Sequence, residues 1–169
     1  MKLSRRSIII VVTIIITIAI DQISKFIIRN SVSPTDRIPI IGDYFTILNV
    51  ENAGAFLGMG SDLNPTLRIL LLLILPVVVL ALVLRHILKD KTLDSLTLLA
   101  FSSIIGGGIA NVFDRIVYGS VTDFLYIDLG GMFRTGIFNL ADLSVTTGMV
   151  ILVFSSFKNK KNTDAKKKE

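Results

Sequence analysis

The chain has 169 residues, 51% of them hydrophobic, with a mean hydropathy of +0.71 and a formal net charge of +5. That is too apolar for an ordinary soluble domain, and the lack of cysteine excludes disulfides, thiolate metal sites and cysteine nucleophiles together. Basic residues gather at the two ends and in one short loop instead of forming the stripe that nucleic acid requires, so no nucleic-acid partner is expected.

An apolar helix needs about 20 residues to cross about 30 Å of hydrocarbon. The first stretch of that kind runs from Ser7 to Ile28, behind Lys2, Arg5 and Arg6. No small-x-small cleavage pattern follows it, so it reads as a retained anchor. Within it Asp21 precedes Lys25 by four residues, the favourable order for a helical ion pair, with Gln22 beside them. An ionisable residue inside a span costs a few kcal/mol, so this pair is either a self-neutralising brace or part of a site.

Residues 29 to 66 contain RIPIIGDYFTILNVENAGAFLGMG, where β-prone runs alternate with Gly, Pro and Asn; a small sheet or hairpin at the membrane surface is expected. The second span, Leu67 to Leu84, has only 16 residues between Arg68 and Arg85, whose stems can snorkel to the interfaces. Pro76 should kink it. The loop that follows carries Arg85, Lys89, Lys91 and the chain's single histidine, His86. One histidine on the far side of the bilayer from the carboxylates leaves no basis for a His-dependent triad or a zinc site.

The third span, Leu96 to Phe113, contains Gly106, Gly107 and Gly108, which suit close approach of another helix. Asn111, Asp114 and Arg115 follow, the last two readable as an exposed ion pair. Residues 114 to 137 include the strand-like run VTDFLYIDL, which carries Asp123 and gives it no local partner. The fourth span, Phe138 to Phe157, opens with Asn139, Ala141 and Asp142. Asp142 can serve as a helix-terminal cap, favoured by the macrodipole, or as half of a carboxylate pair sharing a proton, as a water-activating dyad requires. Ser120 and Ser144 lie near these aspartates without a nucleophile elbow or a serine-lysine pair.

Four alternating helices place three basic residues of the N-terminus, three of the 85–91 loop and six of the tail on one side, 12 of the 18 in total. The positive-inside rule makes that side the cytoplasm, with both termini there and nine of the 13 acidic residues in the outer halves of spans or outside. The expected architecture is an all-α membrane bundle of four transmembrane helices with a small extracytoplasmic β-platform. It forms one domain over residues 1–157, and residues 158–169 form a basic, disordered cytoplasmic tail.

Four blocks in order resemble the lipoprotein signal peptidases, or signal peptidase II: DQISK from Asp21, NAGAFLG from Asn52, GGGIANVFDR through VTDF from Gly106, and FNLADL from Phe138. The family often has two alanines in NxGAAF, where this chain has Ala55 alone before Phe56. The resemblance implies an aspartic endopeptidase with Asp123 and Asp142 as the catalytic pair. It implies that Asp21, Lys25, Asn52, Gly54, Asn111, Asp114, Arg115, Asn139 and Ala141 bind substrate or support the site, with a mobile loop or helix above it. The implied substrate is a diacylglyceryl prolipoprotein, cut just before the lipidated cysteine at the outer face of the bacterial inner membrane. No cofactor and no metal are implied, and the enzyme is expected to act as a monomer in the lipid bilayer. The competing reading is a non-enzymatic transporter or assembly factor, but an ion path needs ionisable residues staggered through the whole bilayer depth, whereas these crowd one half.

Overall fold

A computed structural model describes residues 4–55 and 58–166, with side chains as far as Phe157. Helix α1 (Arg5–Ser31) starts where the Ser4 hydroxyl accepts from the Ser7 amide at 3.1 Å, and ends before Pro34, which cannot continue a helix. Strands β1 (Ile38–Ile41) and β2 (Phe45–Asn52) form a hairpin, and β3 (Val121–Ile127) pairs antiparallel on the other side of β2. Pro39, which has no amide to donate, lies in β1 at the sheet edge. Between Ile47 and Val50 strand β2 carries one extra residue relative to β3, and this bulge sends the Asn49 amide to the Val32 carbonyl at 2.7 Å. The sheet is thereby fastened to the end of α1.

Helix α2 (Pro65–Lys89) has Asn64 as its cap and Pro65 in its first turn. The disturbance expected at Pro76 takes the form of a π-helical stretch, Leu70–Ile74, just before it. Pro76 has no N–H for the Leu72 carbonyl and its ring crowds that oxygen, so the turn widens. His86 belongs to the last turn of this helix instead of a loop, its ring edge-on to Phe101 at 5.5 Å.

Helix α3 (Ser95–Tyr118) is the central helix, with half of its span buried against 6–17% of the others. Its consecutive glycines each admit a different neighbour, since successive helical residues point about 100° apart. A Cβ would lie 2.7 Å from Thr17 of α1 at Gly106, 2.4 Å from the Ala141 carbonyl at Gly107, and 2.6 Å from Leu80 of α2 at Gly108. Close packing is thus the use of all three. Gly119 ends α3 at φ 76°, the left-handed position that glycine adopts without strain.

Helix α4 (Leu140–Lys166) runs antiparallel to α3 and continues through residues 158–166 of the tail that the sequence reading leaves without structure. All four helices are long and apolar enough to cross a membrane, and most of α1, α2 and α4 presents apolar surface outward, as a lipid solvent requires. The chain is a multi-pass membrane protein. At the bundle end away from the sheet, Arg6 donates to the carbonyls of Ile87, Asp90 and Leu93, and so satisfies the exit of α2. At the sheet end, Ile28, Val32 and Phe124 form a small buried cluster joined by Ile47, Leu125 and Leu140.

Candidate active site

The site begins with a buried cation. Lys25 has no exposed surface, and its ammonium lies 2.7 Å from Asp21 Oδ2, 2.7 Å from Asp114 Oδ2 and 2.9 Å from Asn111 Oδ1, so three oxygens surround it. Asp21 lies one turn before Lys25 on α1, while Asn111 and Asp114 lie one turn apart on α3. Gln22 Nε2 donates a hydrogen bond to Asp114 Oδ1 at 3.0 Å, and Arg29 approaches the same oxygen at 3.2 Å. Two cations thus face two carboxylates where an unpaired charge would be prohibitive.

This cluster reaches the aspartates through two asparagines. Lysine is a donor only, so Asn111 turns its oxygen to Lys25 and its amide nitrogen to Asp142 Oδ1, at 2.8 Å. Asn139 is the N-cap of α4. Its side-chain oxygen accepts from the Asp142 backbone amide at 2.9 Å, and its own backbone amide donates back to Asp142 Oδ2 at 3.3 Å, a reciprocal capping box. Its Nδ2 donates to Asp123 Oδ1 at 2.6 Å, so one residue touches both carboxylates. The next free amide of the helix, that of Ala141, is taken by Asp21 Oδ1 at 2.8 Å.

Asp123 lies on β3, opposite Val50 of β2. Its second oxygen accepts from Asn52 Nδ2 at 2.8 Å, and only 3% of the residue is exposed. Burial pushes its pKa up to about 6, with help from the charge of Asp142 and against the hydrogen bonds from Asn52 and Asn139. Asn52 also accepts from the Gly54 amide at 2.9 Å and donates to the Ala55 carbonyl at 3.1 Å, which folds the following loop back on itself. A side chain at Gly54 would strike the Gly58 carbonyl at 2.4 Å. Two arginines grip the same loop: Arg68 donates to the Ala53 carbonyl at 3.0 Å, and Arg115 to that of Gly54 at 2.9 Å.

Two cavities open on the pair. One, of about 390 Å³, is lined by Asn52, Ala53, Gly58 and Asp123; the other, of about 370 Å³ and mostly apolar, by Phe133, Phe138, Asp142, Leu143 and Thr146. Gly136 lines both.

Signal peptidase (SPase) II is the family whose profile matches, over residues 13–158. The chain belongs to the signal peptidase II family. The lipoprotein signal peptidase of Borrelia hermsii is 33% identical over 91% of this chain and 93% of its own length. That of Pelodictyon phaeoclathratiforme is 36% identical over 87% and 88%. A bacterial membrane enzyme solved by the in meso method has a similar fold, with a TM-score of 0.79 at 24% identity over 90% of each chain. A second such structure gives 0.76 at 25% identity over 88% of this chain and 92% of its own. Family membership makes the chain a membrane peptidase and removes the transporter reading.

All eleven residues singled out in the sequence gather at the sheet end of this signal peptidase II bundle, with two differences. Asp114 and Arg115 are not an exposed pair. Asp114 is fully buried, and among the described residues no ion pair joins it to Arg115. Adjacent helical residues diverge by about 100°, so Asp114 turns to α1 while Arg115 turns to the loop. Ser120 and Ser144 are committed elsewhere, to Glu51 and to the Leu140 carbonyl. Arg29, four residues beyond Lys25 on the same face of α1, joins the site without being among the expected residues, and that spacing is the signal in the sequence that points to it; Arg68, expected only at the interface, grips the loop as well. Phe56 and Leu57 of the NAGAFLG block, like the side chains of the basic tail, lie outside the described residues.

Proposed function

We propose that the protein is an aspartic endopeptidase that removes the signal peptide from diacylglyceryl-modified prolipoproteins, cutting before the lipidated cysteine. The supporting observation is that Asn139 hydrogen-bonds both Asp123 and Asp142, which ties two carboxyl groups to one residue, each lining a cavity that Gly136 also lines. Asp123 holds the proton: its raised pKa keeps a larger acid fraction near neutrality than an ordinary carboxylate has. Asp142 sits in the first turn of α4, where the helix end favours a carboxylate, and is the base.

Asp142 takes a proton from the attacking water as its oxygen bonds to the scissile carbonyl carbon, and Asp123 donates its proton to the carbonyl oxygen. As the tetrahedral intermediate collapses, Asp142 returns a proton to the leaving amine and Asp123 recovers one from the hydroxyl. Asn52, Asn111 and Asn139 hold the two side chains in place throughout.

The sheet end faces outward and both termini lie in the cytoplasm of a bacterial inner membrane, in keeping with the 12 basic residues at the opposite end. A prolipoprotein then keeps its signal helix and acyl chains in lipid while the scissile bond meets water at the interface. The enzyme acts as a monomer. Purified Asp123→Asn and Asp142→Asn proteins, folded in detergent, should leave a diacylglyceryl prolipoprotein uncut; processing by either would overturn the dyad.

A further inference from the structure

We propose that Arg29 is a positioning residue for Asp123, holding strand β3 to the same buried carboxylate that, through Lys25, holds Asp142. This rests on the reading of Asp123 and Asp142 as the catalytic pair.

Arg29 lies in the last turn of α1 with 18% of its side chain exposed, and its guanidinium meets three other elements. Nε donates to Thr122 Oγ1 of β3 at 2.7 Å. Nη2 lies 3.2 Å from Asp114 Oδ1 of α3, and the plane stacks on the Tyr118 ring at 3.9 Å. Glu51 of β2 is 3.9 Å away and accepts the Thr122 proton at 2.6 Å, so the Thr122 hydroxyl has a fixed direction. A flat, forked cation stacked on a ring is held more rigidly than an ammonium would be.

Thr122 is fully buried and immediately precedes Asp123. Successive strand residues point to opposite faces, so clamping the Thr122 side chain behind the sheet sets the direction in which Asp123 leaves its front. Asp114 is the common anchor. One arm runs from it through Lys25 and Asn111 to Asp142, the other through Arg29 and Thr122 to Asp123. The spacing of the two carboxyl groups is therefore set from both sides by a group that touches neither.

The test uses the full-length enzyme in detergent with a diacylglyceryl prolipoprotein. Arg29→Gln should lower kcat by about 10- to 100-fold, the order of loss that follows a misplacement near 1 Å, with KM within about twofold of wild type. Arg29→Lys, which keeps the charge beside Asp114 without the fork, should recover part of that loss. Thr122→Val should lower kcat in the same sense, and the double variant should be no slower than the slower single one, because both changes cut one arm. Multiplying losses, or a raised KM with unchanged kcat, would overturn the proposal. If Arg29→Gln does not accumulate as folded protein, Thr122→Val decides alone, and wild-type kcat there counts against the clamp. Asp123→Asn in the same assay separates the two readings: wild-type kcat in Arg29→Gln beside a dead Asp123→Asn removes only the role of Arg29, whereas an active Asp123→Asn removes the dyad.

Discussion

Replacing Asn52 by alanine removes one of the two amides that stabilise the ionised form of Asp123. A hydrogen bond to a charged group contributes about 1.5–3 kcal/mol, and about 1.4 kcal/mol corresponds to one pH unit, so the Asp123 pKa should rise by about one to two units. With Asp123 acting protonated as proposed, kcat/KM of the wild-type enzyme should fall with increasing pH through a midpoint of about 6. In Asn52→Ala that descending limb should move to higher pH. The maximal rate should fall as well, because Asn52 also holds the Gly54 amide and the Ala55 carbonyl, but the limb is read from the normalised profile. Cleavage of a lipidated prolipoprotein between about pH 4 and 9 in one detergent measures both quantities. A midpoint that stays within about 0.3 unit, or shifts to lower pH, would refute the assignment of the proton to Asp123. An ascending limb at about pH 6 in the wild type would refute it too, since Asp123 would then be the base.

Further outcomes follow from the same geometry. Folded Asp123 binds its proton more tightly than the unfolded chain, with a pKa of about 6 against 3.8. The native state therefore holds more protons across that window, and stability should decline by up to about 3 kcal/mol as pH rises through it; the decline should vanish in Asp123→Asn, measured by thermal unfolding in detergent. Lys25→Met leaves Asp21 and Asp114 buried without their shared cation and should destabilise the protein by about 3–5 kcal/mol, lowering the unfolding midpoint on the same instrument. Gly107→Ala puts a methyl 2.4 Å from the Ala141 carbonyl and should cost about 1–3 kcal/mol, with a disproportionate loss of activity because Asn139 and Asp142 flank Ala141. Asn139→Ala removes the second amide donor to Asp123 and the side-chain cap on the Asp142 backbone amide, and should move the descending limb of the pH profile to higher pH as Asn52→Ala does, read in the same cleavage assay.

Hydropathy placed all four helices within a few residues, since the requirement to span hydrocarbon acts on each segment alone. The Asp21–Lys25 pair was legible for the same reason: four residues make one turn wherever the helix goes. Its purpose was not. Asp21 caps a distant helix through the amide of Ala141, 120 residues later, and Lys25 orients an asparagine 86 residues away. Nothing in the local pattern of α1 encodes either partner. Asp114 and Arg115 show the opposite failure, where adjacency in sequence suggested a pair that helical geometry keeps apart.

From the sequence alone came the spans, the strand-like runs between them and the cost of carboxylates at their edges, all of which depend on single segments and their solvent. The four family blocks added names for the aspartates. Only the tertiary structure could decide that Asn139 serves both of them and that Asp114 is the shared anchor behind them. Both are relations among α1, α3, α4 and β3, created when three glycines let the helices close to contact and a bulged strand fastens the sheet to α1.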